Sequence, residues 1–145
     1  MTRLRPYSAT ALAAGGGILA GLGLYFAFVR PPLLLEDLRF MGVSMALVES
    51  TVPGLLAWLQ RVFRVMGGFM FAAGVLTCYV ATTSFRERVR SAFPVVTVAG
   101  ASSIGTMVVV NFIIGSDFKW LLLSFALPWV LALLLYRHEQ GGRPE

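Results

Sequence analysis

The sequence predicts an all-α fold: an integral membrane four-helix bundle with an amphipathic extramembrane connector between its first and second helices. Three observations predict it. Apolar residues make up 57% of the chain and charged residues only 13%, against roughly 25% charged in soluble domains. The charges gather in clusters separated by apolar runs of about twenty residues, the length that carries a helix across a hydrocarbon core of about 30 Å. Between the first two runs lies one long stretch, 30–64, that is neither a span nor a short turn. The chain, 1–145, therefore reads as a single transmembrane domain with spans near 9–29, 65–83, 93–114 and 119–136.

The first span contains no charge and follows Arg3 and Arg5. Its apolar run is too long for the core of a secretion signal, and its end lacks a small-x-small cleavage pattern, so it is expected to be retained. Ala9, Ala13, Gly17 and Gly21 recur every fourth residue. Small side chains in such a row let another helix approach closely, since packing must replace the hydrophobic effect within lipid. The expected partner is another helix of the same bundle; a seam between two copies of the chain is the sharper alternative.

Pro31-Pro32 ends this helix, because neither proline donates a backbone hydrogen bond and each disfavours helix before it. The connector carries Glu36, Asp37 and Glu49 against Arg30, Arg39, Arg61 and Arg64. Ser44 is placed to cap a short helix through Glu49, and Pro53 suits the first turn of another. In that second helix Leu55, Leu56, Trp58, Leu59, Val62, Phe63 and Met66 fall on one side, with Ala57, Gln60, Arg61 and Arg64 on the other. The pattern predicts a helix lying in the membrane interface before the chain turns into the bilayer. A lid over a ligand site is the alternative.

In the second span, Gly67, Gly68, Ala72, Ala73 and Gly74 thin one side, and Cys78 is expected to pack among apolar neighbours. A short charged turn holds Arg86, Glu87, Arg88 and Arg90. The third span places Thr97, Ala101 and Gly105 at four-residue spacing beside Ser102, Ser103 and Thr106, whose hydroxyls can bond along their own helix or across to a neighbour. Asn111, the most polar side chain within a span, predicts one interhelical hydrogen bond. Gly115-Ser116-Asp117 forms a tight turn before Lys119-Trp120. Pro128 is expected to kink the fourth span, with Ser124 compensating the carbonyl that the proline leaves without a partner. Arg137, His138 and the tail from Gly141 to Glu145 are expected to be solvated.

The net charge of +5 and pI near 10.1 do not call for nucleic acid, since the arginines flank spans and meet anionic headgroups there. One cysteine and one histidine exclude an intramolecular disulfide, a thiolate metal cluster and a bis-histidine haem site. No cofactor or metal is expected. The middle of each span holds no acid or base of the kind proton-coupled transport uses. No Cys-x-x-Cys, phosphate loop or Ser/His/Asp set is present. With a cytoplasmic N-terminus, seven basic residues (Arg3, Arg5, Arg86, Arg88, Arg90, Arg137, Arg143) lie inside and five (Arg30, Arg39, Arg61, Arg64, Lys119) outside, together the twelve in the chain. Both termini are therefore expected in the cytoplasm.

Phe40-Met41-Gly42, Glu49, Pro53-x-Leu55 and Arg64-x-x-Gly67-Gly68 resemble a loose pattern in uncharacterised small bacterial four-span membrane proteins. The resemblance covers about thirty residues of the connector and implies the same topology, in a bacterial inner membrane, without implying an activity. The chain departs from it in one respect: those proteins carry an acidic–basic pair just before the Gly-Gly, whereas here no acid occurs between Glu49 and Glu87.

Three functions are consistent with these residues. The leading expectation is a non-enzymatic accessory or scaffold subunit of a membrane assembly, partnered by lipid and by a second copy or a larger membrane protein. Its helix-packing positions are Ala13, Gly17, Gly21, Gly67, Gly68, Ala101 and Gly105. The alternative is a protein binding or conducting a small molecule or lipid beneath the connector, with Glu49, Arg61, Arg64 and Asn111 as polar contacts. The third is a lipid-acting enzyme using Glu36, Asp37 or Glu49 as acid or base.

Overall fold

A computed structural model describes residues 7–141, with side chains through Glu139. Six helices follow in order: α1 (Tyr7–Phe28), α2 (Leu35–Met41), α3 (Met45–Thr51), α4 (Leu55–Phe85), α5 (Ala92–Ile113) and α6 (Lys119–Gly141), with no strand among the described residues. The last turns of α4, Ala81–Phe85, are π-helical, as is the middle of α5, Ala101–Gly105. α1, α4, α5 and α6 are each long and apolar enough to cross a membrane. The protein is an all-α, polytopic integral membrane protein. Its four long helices alternate in direction, so the ends of α1 and α6 that lead to the chain termini lie together. Across the bundle the order is α4, α1, α6, α5, and α1 packs most extensively on α4.

That α1–α4 seam is made by backbone. A Cβ on Gly16 would lie 2.9 Å from the Gly74 carbonyl oxygen, and one on Gly74 would lie 2.6 Å from that of Gly16. Gly23 and Gly67 repeat the arrangement two turns along, at 2.7 and 2.5 Å. The residue numbers of both pairs add to the same value, as antiparallel alignment requires. With no side chain between them, each glycine Cα–H faces the opposing carbonyl, an arrangement that contributes about 0.5–1 kcal/mol per contact. Ala20 and Ala27 continue the seam against Gly74 and Gly67, and the Cys78 thiol donates to the Ala13 carbonyl at 3.4 Å.

The seam differs in register from the row Ala9, Ala13, Gly17, Gly21. Ala9 is buried and Ala13 partly so, but Gly17 and Gly21 face outward with nothing within 4 Å. Gly67 is part of the seam whereas Gly68 faces open space. On α5, Ala101 is exposed, and a Cβ on Gly105 would meet only its own helix, at the Gly100 carbonyl; Gly100 makes the interhelical approach instead. There the Trp129 indole of α6 lies over Gly100, where a Cβ would come 2.3 Å from Nε1, and its other side meets Gly15 of α1. The indole N–H donates to the Val96 carbonyl at 3.0 Å. One buried side chain thus ties α6 to both α1 and α5 and satisfies its own polar atom.

Four further expectations are revised. The amphipathic run 55–66 and the second span form one unbroken helix of 31 residues, about 46 Å long at 1.5 Å per residue, because nothing at 64–68 interrupts the i→i−4 ladder. The Asn111 amide donates to the Met107 carbonyl of its own helix at 2.9 Å, not to a neighbouring helix. The Ser124 hydroxyl donates to the Leu121 carbonyl at 2.6 Å, one turn before the carbonyl that Pro128 leaves without its partner. The fourth span continues as helix past Tyr136: Arg137 and His138 are exposed as expected, but Glu139 is engaged within the fold. The α5 hydroxyls of Thr97, Ser102, Ser103 and Thr106 all bond carbonyls of their own helix. Arg3, Arg5 and the tail 142–145 lie outside the described residues.

The seam separates two classes of glycine substitution. Gly23→Ala places a Cβ 2.4 Å from the Phe71 nitrogen and is expected to lower stability by about 1–3 kcal/mol through overpacking. Gly21→Ala, two residues away in open space, is expected to be neutral or stabilising by up to about 1 kcal/mol. Thermal unfolding of the two variants in the same detergent measures the contrast.

Candidate functional site

Polar chemistry concentrates at the two ends of the bundle. At the connector end, Gly42 closes α2 in the left-handed conformation, φ 68°, and Ser44 caps α3 by accepting from the Leu47 N–H at 3.2 Å. The Asp37 carboxylate accepts from the Leu34 N–H at 2.8 Å, fixing the start of α2, and pairs with Arg30 at 3.1 Å. The Arg30 guanidinium lies 3.9 Å from the Phe63 ring centroid and donates to the Pro31 carbonyl. The residue that closes α1 thereby holds the connector against α4.

Glu36, only 4% exposed, turns the other way. Its carboxylate accepts from the Ser116 hydroxyl at 2.8 Å and from the Asp117 N–H at 2.9 Å. Ser116 in turn accepts from the Phe118 N–H at 3.1 Å. These N–H groups precede α6, where a helix start leaves donors without intrahelical partners and favours negative charge. The more exposed Arg39–Asp117 pair, at 2.8 Å, flanks the cluster. Its hydrogen bond to Asp117 holds Arg39 even more firmly protonated than an ordinary arginine.

At the opposite end Glu139 plays the equivalent part for α1. It accepts from the Ser8 N–H at 3.3 Å and the Ser8 hydroxyl at 2.7 Å, and it pairs with Arg88. Arg88 also donates to the Tyr136 carbonyl at 3.1 Å and to Ser8 at 3.2 Å, with its guanidinium 4.2 Å from the Tyr136 ring centroid. It adopts φ 61°, a left-handed conformation costing about 1–2 kcal/mol for a residue with a Cβ, which these charge-assisted bonds offset. Phe85 and Phe93 pack on Tyr136 beneath the cluster, at 4.4 and 5.4 Å between centroids.

Both clusters are built from complete hydrogen-bond sets. Among the described residues, no buried side-chain nitrogen or oxygen lacks a partner and no group of His, Cys, Asp and Glu has metal-binding proximity. Of the four expected ligand contacts only Arg61 and Arg64 lie near one another, one turn apart on α4. Glu49, Arg61 and Arg64 are exposed on α3 and α4, and Asn111 bonds its own helix. One open groove of about 540 Å³ beside α2 is lined by Leu35, Leu38, Arg39, Gly42, Val43, Ser44 and Asp117, with none of those four residues. A second, of about 530 Å³, runs along α4 from Arg61. Glu36 and Asp37, candidates for an acid or base, are instead engaged with helix ends, while Glu49 is exposed.

Sequence reasoning passed over Glu139, Trp129 and the α2 helix. The paired acids Glu36-Asp37 ahead of Gly42 were a usable helix signal, with acids in the first turn and glycine just past the end. The equal seven-residue spacings Gly16–Gly23 and Gly67–Gly74 were a signal for the seam. Nothing local marked Trp129.

The fold and its end clusters define a helical polytopic membrane protein whose polar side chains secure helix termini. Comparison with known protein families, with characterised proteins and with solved structures finds no match.

Two substitutions separate structural from dispensable polar groups. Glu36→Ala leaves the Ser116 hydroxyl and Asp117 N–H without their acceptor and is expected to cost about 2–3 kcal/mol, with faster hydrogen exchange in α2 and the α5–α6 turn. Asn111→Leu removes only a bond along its own helix and is expected to cost less than about 1 kcal/mol. Thermal unfolding and amide exchange of both variants in detergent test this difference.

Proposed function

We propose that this protein is a non-enzymatic scaffold subunit, which joins a larger membrane assembly through the outward face of α1. One observation carries the reading. α1 is gripped by α4 on one side and α6 on another, yet its remaining face presents Thr10, Ala14, Gly17 and Gly21, all exposed, with open space beyond both glycines. A helix packed so closely elsewhere has no internal need of two glycines there, whereas a flat face suits the approach of a further helix in lipid. The complete engagement of Glu36, Asp37 and Glu139 in helix-end bonds agrees with a structural role. We place the protein in a bacterial inner membrane with both termini cytoplasmic. The support is the seven-to-five excess of basic residues that the sequence puts on the side of the termini, Arg3, Arg5, Arg86, Arg88, Arg90, Arg137 and Arg143, together with the resemblance of the connector.

Native mass spectrometry of gently extracted protein is expected to show a complex with a second copy or with a larger membrane protein. Gly17→Leu and Gly21→Leu are expected to dissociate that complex while leaving the melting temperature of the subunit within a few degrees, about 1 kcal/mol or less. A monomer in native extracts, or a complex indifferent to both substitutions, would overturn the reading.

A further inference from the structure

The helix α4 is longer than the bilayer needs, and its excess places two arginines at one particular depth. The Ser8–Arg88–Glu139 cluster and the buried Phe85 beneath it mark one edge of the apolar layer. Counting back about 30 Å, or roughly twenty residues, from Phe85 along α4 reaches Val65. Arg64 and Arg61 therefore stand at the opposite edge, in the headgroup layer, level with Arg30 at the end of α1 and with the α5–α6 turn. Both are exposed and neither makes an ion pair among the described residues. Nor does the sequence supply an acid anywhere between Glu49 and Glu87.

Below these arginines the outer surface of α4 is shaped. Arg61, Val65 and Phe69 form one i, i+4 ridge, and Val62, Met66 and Met70 form the next. The furrow between such ridges follows the helix at a shallow angle. Here it is an open groove of about 530 Å³, apolar except at the Arg61 end. It descends from the headgroup layer towards the middle of the bilayer. The Arg61 side chain turns back towards the start of α4, where one N–H donates to the Ala57 carbonyl at 2.8 Å, and the other guanidinium donors remain available. A cationic, multidentate head above an open apolar furrow matches one kind of molecule.

We propose that this groove is a binding site for an anionic phospholipid, with its phosphate on Arg61 and Arg64 and one acyl chain along Val62, Val65, Met66 and Phe69. The site lies on the outer surface of α4, away from the α1 face assigned to assembly, and it stands whether or not that assignment does. Two arginines one turn apart on α4 favour a net negative headgroup over a zwitterionic one, whose own cation offsets the attraction. Arg61 lines the groove and Arg64 lies just beside it on the helix. The flexible thioethers of Met66 and Met70 accommodate chains of differing unsaturation.

Native mass spectrometry of detergent-solubilised protein titrated with phosphatidylglycerol or phosphatidylcholine tests the site. The protein is expected to retain one phosphatidylglycerol with roughly tenfold preference over phosphatidylcholine. Arg61→Gln with Arg64→Gln is expected to abolish the preference, while Arg39→Gln, which removes an arginine already paired with Asp117, leaves it intact. Phe69→Ala is expected to weaken retention of both lipids. Equal retention of the two lipids by the unaltered protein would overturn the proposal, as would a preference that survives the double substitution. Displacement of the bound lipid by millimolar inorganic phosphate would also overturn it, by showing a site for the free anion.

Discussion

Two backbones touching at Gly16–Gly74 and Gly23–Gly67 form the constraint on which the rest of this structure depends. Within lipid, burying an apolar side chain between helices gains little, because the hydrocarbon it leaves is as apolar as the protein it joins. What remains is dispersion and weak polar attraction, and both grow steeply as helices approach. Removing the side chains at four positions brings α1 and α4 to backbone contact. Once that pair is fixed, the remaining geometry follows. The position of α1 sets where Gly15 meets Trp129, and Trp129 sets how α5 packs on α6 through Gly100 and the Val96 carbonyl.

The ends of the bundle are held by a different force. Helix starts expose N–H groups that have no partner within the helix, and at the starts of α6 and α1 a glutamate distant in sequence supplies the acceptor. Glu36 of the connector serves the start of α6, and Glu139 at the end of α6 serves the start of α1. These bonds span 81 and 131 positions of the chain, so they close the bundle rather than merely finish its elements. Both acids sit at the ends of the apolar helices, and a charge costs less at the end of a membrane-spanning helix than at the midplane. The interior between the two clusters contains hydroxyls bonded along their own helices, one thiol and one indole, each with an acceptor. This division leaves the outward faces of α1 and α4 as the surfaces whose composition the bundle itself does not explain.

Much of the fold was legible because its signals are local. Hydropathy announced four long apolar helices, Pro31-Pro32 followed the end of the first, and Ser44 announced the cap of α3. The seam was misread for a geometric reason. A residue every fourth position advances about 40° around an α-helix at each step, so the row from Ala9 to Gly21 begins on a buried face and winds out to an exposed one. A seven-residue spacing drifts by only about 20°, and Gly16–Gly23 and Gly67–Gly74 accordingly stay on the shared face. The division between the amphipathic run 55–66 and the second span was misplaced because composition changes there while helical hydrogen bonding does not. Of the candidate ligand contacts, Arg61 and Arg64 share an exposed stretch of α4, while Glu49 is exposed on α3 and Asn111 bonds its own helix.

The sequence by itself determined that this chain is helical, that it crosses a membrane four times, and that its charges lie at the edges of the apolar layer. Those properties follow from hydropathy and chain length, which act on each segment independently. Only the tertiary structure decided which glycines touch, which glutamate caps which helix, and which faces remain for a partner or a lipid. Those outcomes depend on the rotation of each helix about its axis, where a shift of one residue turns a side chain by about 100°. In a chain whose spans are apolar on every side, no periodic pattern fixes that angle, and packing against a neighbouring backbone must.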